Sequence, residues 1–179
     1  MVLDKIKQLI KRWKDEEHGL AAIEAAMIFP IMLMLLVGVF DAGNAILANQ
    51  KTIRASQVVA DLITRQNIVS DADINEAIEA GKLAFEPIDS SSYGVDIISI
   101  RFDEDANSEI VWRETRNMPP VSNPLSDVSA VQSANEGVVM VSVAYNYEPL
   151  FAGFVMTAFG MEERAFSRGR STPVVLRVP

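Results

Sequence analysis

The residues most clearly capable of specific chemistry are a glycine and a glutamate at the entrance of a long apolar stretch. Gly19 is followed five positions later by Glu24, the only ionisable residue between Leu20 and Phe40. Carboxylates inside hydrocarbon are uncommon, and a buried charge is strongly disfavoured unless a cation neutralises it. Two interpretations follow. Glu24 is an interfacial glutamate that water still reaches, or it is a functional carboxylate that needs a cationic partner.

The functional interpretation requires a cut in the chain. If a peptidase cleaved after Gly19, Leu20 would carry a free α-ammonium group and Glu24 would become the fifth residue of the mature chain. In an assembled helical array, the α-ammonium of an adjacent subunit could neutralise the Glu24 carboxylate. Glu24 would then set the register between subunits as well as their adhesion.

Gly19 and Glu24 lie on a predicted helix that is long enough to cross a membrane. At about 1.5 Å per residue, residues 20–40 span the roughly 30 Å of a hydrocarbon core. Pro30 interrupts the run, and a membrane helix tolerates the freed carbonyl as a kink near residues 28–29 or as a point of local melting during packing. Five of the 16 lysines and arginines lie in residues 1–19, which places residues 1–18 in the cytoplasm and residues 44–179 outside the membrane.

The flanking segments extend this helix at both ends. Residues 1–14 have the spacing of a short amphipathic helix that could lie on the inner leaflet. Beyond residue 40 the helical pattern continues to about residue 66, with a stripe of mostly small residues on one face. This stripe needs a partner, which is either the chain's own globular domain or neighbouring subunits. Its members are Ala42, Ala45, Ile46, Asn49, Ile53, Ser56, Ala60 and Ile63.

Residues 67–179 predict a small α+β domain outside the membrane. A helix starts after Ser70 and ends before Pro87, and alternating residues predict strands at 94–102, 109–115 and 137–147, with a possible fourth at 162–168. Residues 116–136 are expected to form a long surface loop, and residues 150–159 a short helix or a buried loop. The tail from residue 170 could pair at a sheet edge. The predicted fold class is therefore α+β, with a long N-terminal transmembrane helix (1–19 leader, 20–66 helix) supporting a small antiparallel sheet.

Composition excludes several function classes. The chain is acidic, with 24 acidic against 16 basic residues, which argues against nucleic acid as a partner. It has no cysteine and one histidine, His18, so thiolate chemistry, His-rich metal clusters and a Ser-His-acid set outside the membrane are excluded. The acidic cluster at residues 103–107 lacks the spacing of an EF-hand calcium loop. We expect no catalytic residues, no cofactor and no metal.

The sequence resembles a known family at two places. Gly19-Leu-Ala-Ala-Ile-Glu24 with the following apolar run, Pro30, Gly38, Asp41 and Gly43 is similar to the start of TadE/TadG-like proteins of tight-adherence (Tad, or Flp) pilus systems. A weaker likeness is residues 141–150, which contain the Tyr-x-Tyr-x-Pro pattern of the family's C-terminal strand. The resemblance covers residues 15–66 well and the remainder loosely. Ala25 departs from the family pattern, since processed members often carry an aromatic residue there.

The resemblance implies a pilin-like arrangement and a non-enzymatic role. The chain would be a minor pseudopilin or an inner-membrane assembly component of a Tad pilus, cut between Gly19 and Leu20 by a prepilin peptidase. Glu24 and Pro30 would serve assembly, and the partners would be the membrane, other pilus subunits and the inner-membrane assembly platform. The protein would sit in the bacterial inner membrane with a periplasmic domain, or enter the pilus. An alternative is an uncleaved single-span anchored binding or sensor protein that uses residues 116–136.

Overall fold

The computed structural model of this chain describes residues 4–7, 17–151 and 156–178, without the side chains of residues 17–20. Helix α1, Glu17–Thr64, is 48 residues long and continues through Pro30. At about 1.5 Å per residue it measures roughly 70 Å. It is the predicted long helix, and it is long and apolar enough to cross a membrane. Residues 4–7 are helical, and the remainder of the amphipathic helix expected at residues 1–14 lies outside the described residues.

The described residues after α1 form two short helices and two sheets, so the predicted α+β class is confirmed. The shorter helices are α2 (Asp71–Leu83) and α3 (Pro124–Asp127), with a 3-10 turn at Ser129–Val131. The strands are β1 (Ile68–Val69), β2 (Gly94–Phe102), β3 (Ser108–Arg116), β4 (Gly137–Tyr147), β5 (Phe159–Ser167) and β6 (Leu176–Arg177). The main sheet is antiparallel with the order β3-β2-β4-β5, and β1 pairs with β6 in parallel.

Helix α2 begins where the sequence predicts it. The Ser70 hydroxyl accepts a hydrogen bond from the Asp73 N–H at 3.3 Å, and the Asp73 carboxylate accepts one from the Ser70 N–H at 2.8 Å. This reciprocal pair is a capping box, which satisfies two backbone donors that have no partner inside the helix. Its apolar side, including Ile74 and Ile78, packs beside α1 over the sheet.

The main core lies between the two longer helices and one face of the sheet. Helix α1 contributes Ala48, Ala55 and Val59, all fully buried, and the sheet contributes alternate residues of β2 and β4 such as Ile97 and Val141. Residues two apart on a strand share a face, so each strand offers every second side chain to this core. Small residues on α1 let the helix approach the sheet closely.

The opposite face of the sheet is also covered. Ile98, Ile100 and Phe102 of β2 pack with Val121 and Val128 in a second core. The segment at residues 117–136 is therefore not simply the surface loop that the sequence predicts. It contains α3 and the 3-10 turn, and it inserts these two valines over the sheet.

The C-terminal tail runs across the helix-facing side of the sheet and is hydrogen-bonded to it. The Val175 carbonyl accepts hydrogen bonds from the Ser99 hydroxyl and the Trp112 indole N–H, each at 2.8 Å. The tail then pairs through β6 with β1, not with an edge of the main sheet. Strand β5 begins at Phe159, three residues earlier than predicted. The segment before it, expected to be a short helix or a buried loop, falls partly on residues 152–155, which lie outside the described residues.

The sheet has a helix-entry end and a far end. Gly94 pairs beside Ala144 and Phe159 beside Tyr147, so the start of β2, the end of β4 and the start of β5 share one end. The β2–β3 turn at residues 103–107 lies at the other end. Helix α1 enters the domain at the first of these ends, because the Tyr147 hydroxyl donates a hydrogen bond to the Asp41 carbonyl at 3.0 Å.

Candidate functional site

Glu24 is exposed on the surface of α1, in the part of the helix that precedes the domain. Its neighbours on the helix are apolar and equally bare, with Ile23 60% and Ile28 54% exposed. Among the described residues, none forms a hydrogen bond or ion pair with the Glu24 side chain. In lipid this carboxylate would need a cation from elsewhere, since isolated charges in hydrocarbon are costly.

The apolar surface around Glu24 is not covered by the domain. Every residue from 21 to 36 is exposed, among them Phe29 at 65% and Leu36 at 67%. A helix that is apolar on all sides belongs in lipid or among other apolar helices. A shallow groove on this surface has only apolar walls, formed by Phe29, Met32, Leu33, Leu35, Leu36 and Val39.

Pro30 lies near the middle of this uncovered surface. The helix continues through it, but proline has no N–H, so the carbonyl four residues earlier, at Ala26, receives no hydrogen bond from it. The weakened turn thus lies one to two turns above Glu24. Both residues belong to one helix, and no other described element reaches them.

Gly19 and Leu20 lie in the first turn of α1, where the backbone is helical. Their side chains are outside the described residues. The first turn of a helix lacks the full set of internal hydrogen bonds and frays more easily than the interior. The four residues singled out by the sequence, Gly19, Leu20, Glu24 and Pro30, therefore follow one another along the N-terminal part of a single helix.

Asp41 is a further residue of this region, and the sequence singled it out only as one of the residues that resemble the TadE/TadG-like pattern. It is fully buried, and its carboxylate accepts the backbone N–H groups of Leu150 at 3.1 Å and Phe151 at 3.3 Å. These bonds, with that from Tyr147 to the Asp41 carbonyl, fasten the helix to the turn after β4. The signal in the sequence was an acid directly after an apolar run. Its partners, more than 100 residues away, could not be inferred from it.

The small-residue stripe of α1 packs on the chain's own domain. Ala45, Ser56, Ala60 and Ile63 of the predicted stripe are buried, whereas Ile46 is 61% exposed. The buried face is rotated from the predicted one and includes four residues that the stripe omitted: Ala48, Thr52, Ala55 and Val59. Of the two partners that the sequence left open for this stripe, the globular domain is the one observed.

A buried charge pair holds residues 117–136 on the second face of the sheet. Asp96 is fully buried and accepts hydrogen bonds from the Arg113 guanidinium, the Thr115 hydroxyl at 2.8 Å and the Val121 N–H at 2.9 Å. Burial opposes ionisation, but the Arg113 charge and the other donors outweigh it and hold the pKa of Asp96 below its ordinary value. Arg113 also donates to the Val121 carbonyl at 3.0 Å. The pair therefore anchors residues 117–131 and has a structural role.

In the acidic cluster of the β2–β3 turn, backbone N–H groups of the same turn already bond the Asp103 carboxylate. The Asp103 carboxylate accepts the N–H groups of Asp105 at 2.9 Å and Asn107 at 2.7 Å, together with the Asn107 side-chain amide. These bonds lower the pKa of Asp103 and form the turn. Over the described ranges, histidines and acids nowhere form a group of three able to hold a metal ion.

Comparison with known proteins identifies one part of the chain. Residues 19–61 match the family model described as TadE-like protein, so the resemblance to that family is confirmed over the N-terminal helix. The match begins at Gly19 and ends within the part of α1 that packs on the domain. No curated protein and no solved structure matches the chain.

Proposed function

We propose that this chain is a minor pseudopilin or inner-membrane assembly component of a Tad (Flp) pilus. It is anchored in the bacterial inner membrane by α1, with the N-terminus in the cytoplasm and the domain in the periplasm, and it either stays there or enters the fibre. The observation that carries this proposal is the uncovered apolar part of α1 with one carboxylate on it, within the segment that matches the TadE-like family. The role is structural, in assembly, and not catalytic.

Processing after Gly19 creates the cation that the site lacks. A prepilin peptidase removes the basic leader, residues 1–19, at the cytoplasmic side of the membrane. The cleaved bond lies in the first turn of α1, so the turn has to unwind locally, and glycine makes this easier because it disfavours helix by about 1 kcal/mol relative to alanine. The new α-ammonium group then lies on Leu20.

The α-ammonium group of one subunit pairs with Glu24 of the next. The two groups are four residues apart in one chain, which is about 6 Å along a helix, so neighbouring helices bring them level when shifted by about one turn. A pair 4 Å apart gains roughly 4 kcal/mol at an effective dielectric constant of about 20. An unpaired charge at the centre of a membrane helix costs about 3 kcal/mol on insertion scales, and less near the end of the helix, where Glu24 lies. The pairing therefore fixes both adhesion and register.

Pro30 gives the helix a place to adjust during packing. Because the Ala26 carbonyl lacks the bond that residue 30 would donate, this turn can bend or melt at lower cost than its neighbours. The domain, which is fastened to the upper part of α1, is then free to reorient relative to the lower part as subunits assemble.

The experiment is a substitution series at Glu24 with co-purification of other pilus components. Glu24→Ala should leave the protein in the membrane but abolish co-purification, whereas Glu24→Asp should retain part of it because the charge remains. Glu76→Ala, on an exposed acid of α2, is the matched control and should behave as wild type. Unchanged association of Glu24→Ala would remove the docking role.

A second candidate function is that of a permanently anchored binding or sensor protein, and one observation favours it. A cleft of about 480 Å³ lies between α2 and residues 89–93, with Lys82, Arg116, Glu79 and Asp89 in its walls. The buried Tyr93 also lines it, and its hydroxyl has no hydrogen-bond partner among the described residues. This alternative predicts a chain that keeps residues 1–19 and functions without Glu24.

A further inference from the structure

We propose that the turn after β4 forms a second membrane contact, an interfacial foot made of Phe40, Leu150, Phe151 and Phe159, which inserts into the outer-leaflet interface beside α1. The occupant of this surface is lipid. The inference rests on α1 crossing the membrane, which is part of the proposed function, but it does not depend on any role in a pilus.

The foot is an apolar surface that the domain leaves exposed. Leu150 is 70% exposed, Phe151 47% and Phe159 40%, although the same end of the sheet buries Tyr145 and Tyr147 almost completely. The Phe40 and Phe151 rings touch edge to face with their centroids 6.4 Å apart, and the Phe159 ring lies edge to face against Tyr147 at 5.7 Å. The Tyr147 hydroxyl donates to the carbonyl of Asp41, the residue after Phe40, so the two aromatic pairs lie at the same end of the sheet.

The position of the patch along α1 places it at the membrane boundary. Residues 21–40 span about 30 Å, the thickness of the hydrocarbon core, so Phe40 marks its outer limit. Phe151 contacts Phe40 directly, which brings the turn to the same depth. Aromatic side chains concentrate at this level of membrane proteins, where their rings lie among the headgroups and upper acyl chains.

The foot is held rigidly at that depth. Asp41 accepts the N–H groups of Leu150 and Phe151, and the Tyr147 hydroxyl bonds the Asp41 carbonyl. Since the Asp41 carboxylate is fully buried and satisfied by these donors, it presents no bare charge to lipid. The turn cannot move along the helix without breaking these bonds. Two fixed contacts, the helix and the foot, would then determine how deep the domain sits and how it tilts on the membrane.

Single-cysteine labelling tests the foot cleanly, because the chain contains no cysteine. A nitroxide is attached to Phe151→Cys, and the full chain is reconstituted in phosphatidylethanolamine–phosphatidylglycerol vesicles. Collisions with oxygen, which concentrates in lipid, are compared with collisions with a water-soluble nickel chelate. Leu36→Cys, in the bare part of α1, and Glu104→Cys, at the far end of the sheet, are the matched controls.

We expect the nickel chelate to collide with the label at position 151 several-fold less often than with the label at position 104. Oxygen should collide with the label at 151 more often than with that at 104 and less often than with that at 36. A label at 151 as open to the chelate as that at 104, with 36 protected, overturns the foot and leaves the span intact. Chelate access at 36 equal to that at 104 overturns both the span and the foot. Protection at 151 that disappears when the protein is diluted in lipid assigns the surface to a second copy and also overturns the proposal. Leu150→Cys repeats the comparison should Phe151→Cys fail to fold.

Discussion

Replacing Asp41 with alanine removes the acceptor that fastens the turn after β4 to helix α1. Two backbone N–H groups, of Leu150 and Phe151, then lose their partner. A hydrogen bond to a charged acceptor is worth about 1.5–3 kcal/mol. The observed lengths of 3.1 and 3.3 Å are long for this class, so the lower value applies, giving about 3 kcal/mol for both bonds.

Solvent reduces this estimate. Phe151 is about half exposed, so water can reach its N–H once the carboxylate is gone, and we expect a loss of about 2 kcal/mol in the free energy of unfolding. Asp41→Asn should lose less, because its amide oxygen still accepts one N–H while its NH₂ group faces the other donor. Asp105→Ala, on an exposed turn residue, is the control and should stay within about 0.5 kcal/mol of wild type.

The assay is urea unfolding of the full chain in detergent micelles, followed by Trp112 fluorescence in a Trp13→Phe background. Amide hydrogen exchange gives the local readout, since each 1.4 kcal/mol lost by local opening speeds exchange at Leu150 and Phe151 about tenfold. If Asp41→Ala unfolds like Asp105→Ala and these two amides keep their protection, Asp41 does not fasten the turn after β4 to helix α1.

The remaining predictions concern the domain. Asp96→Ala leaves the Arg113 guanidinium without its partner and should cost about 3 kcal/mol in urea unfolding. The pKa of Asp96 is lowered in the fold, so the stability that its ionised form contributes is complete above the unfolded-state pKa of about 3.9 and is lost as pH falls through the folded pKa. Asp96→Ala should therefore lose this acid-dependent fall in the free energy of unfolding. An unfolding free energy that depends on pH identically in wild type and Asp96→Ala would refute the role of the ionised carboxylate. Gly81→Ala places a Cβ against the Tyr93 hydroxyl and 2.7 Å from Val59, which should cost about 1–3 kcal/mol and lower the melting temperature. Adding Tyr93→Phe should restore part of that loss, and no recovery would contradict this packing argument.

The sequence predicts the regular elements well where local pattern decides them. Strands β2 and β4 have alternating residues bounded by turn formers, and the Ser70 capping box fixes the start of α2. The length of α1 follows from helical periodicity, because residues 41–64 keep one apolar face after the fully apolar stretch ends. For the candidate site, Gly19 and Glu24 stand out through their spacing alone, and the family match covers the same helix.

What the sequence leaves out depends on contacts between distant residues. The parallel pairing of β1 with β6 joins two-residue strands more than 100 positions apart, too short for any periodicity. Val121 and Val128 lie in a segment rich in proline and serine, so local pattern does not predict their burial over the sheet. The Asp96–Arg113 pair holds Val121 there through its backbone. Asp41 shows the same limit, since its role appears only when residues 147–151 are brought to it.

If a cut after Gly19 frees the cation that Glu24 needs, the protein isolated from its native membrane starts at Leu20. Its mass and its N-terminal residue test this without any substitution. A chain that still starts at Met1 would contradict processing, and it would favour the permanently anchored binding or sensor protein, in which Glu24 requires another explanation.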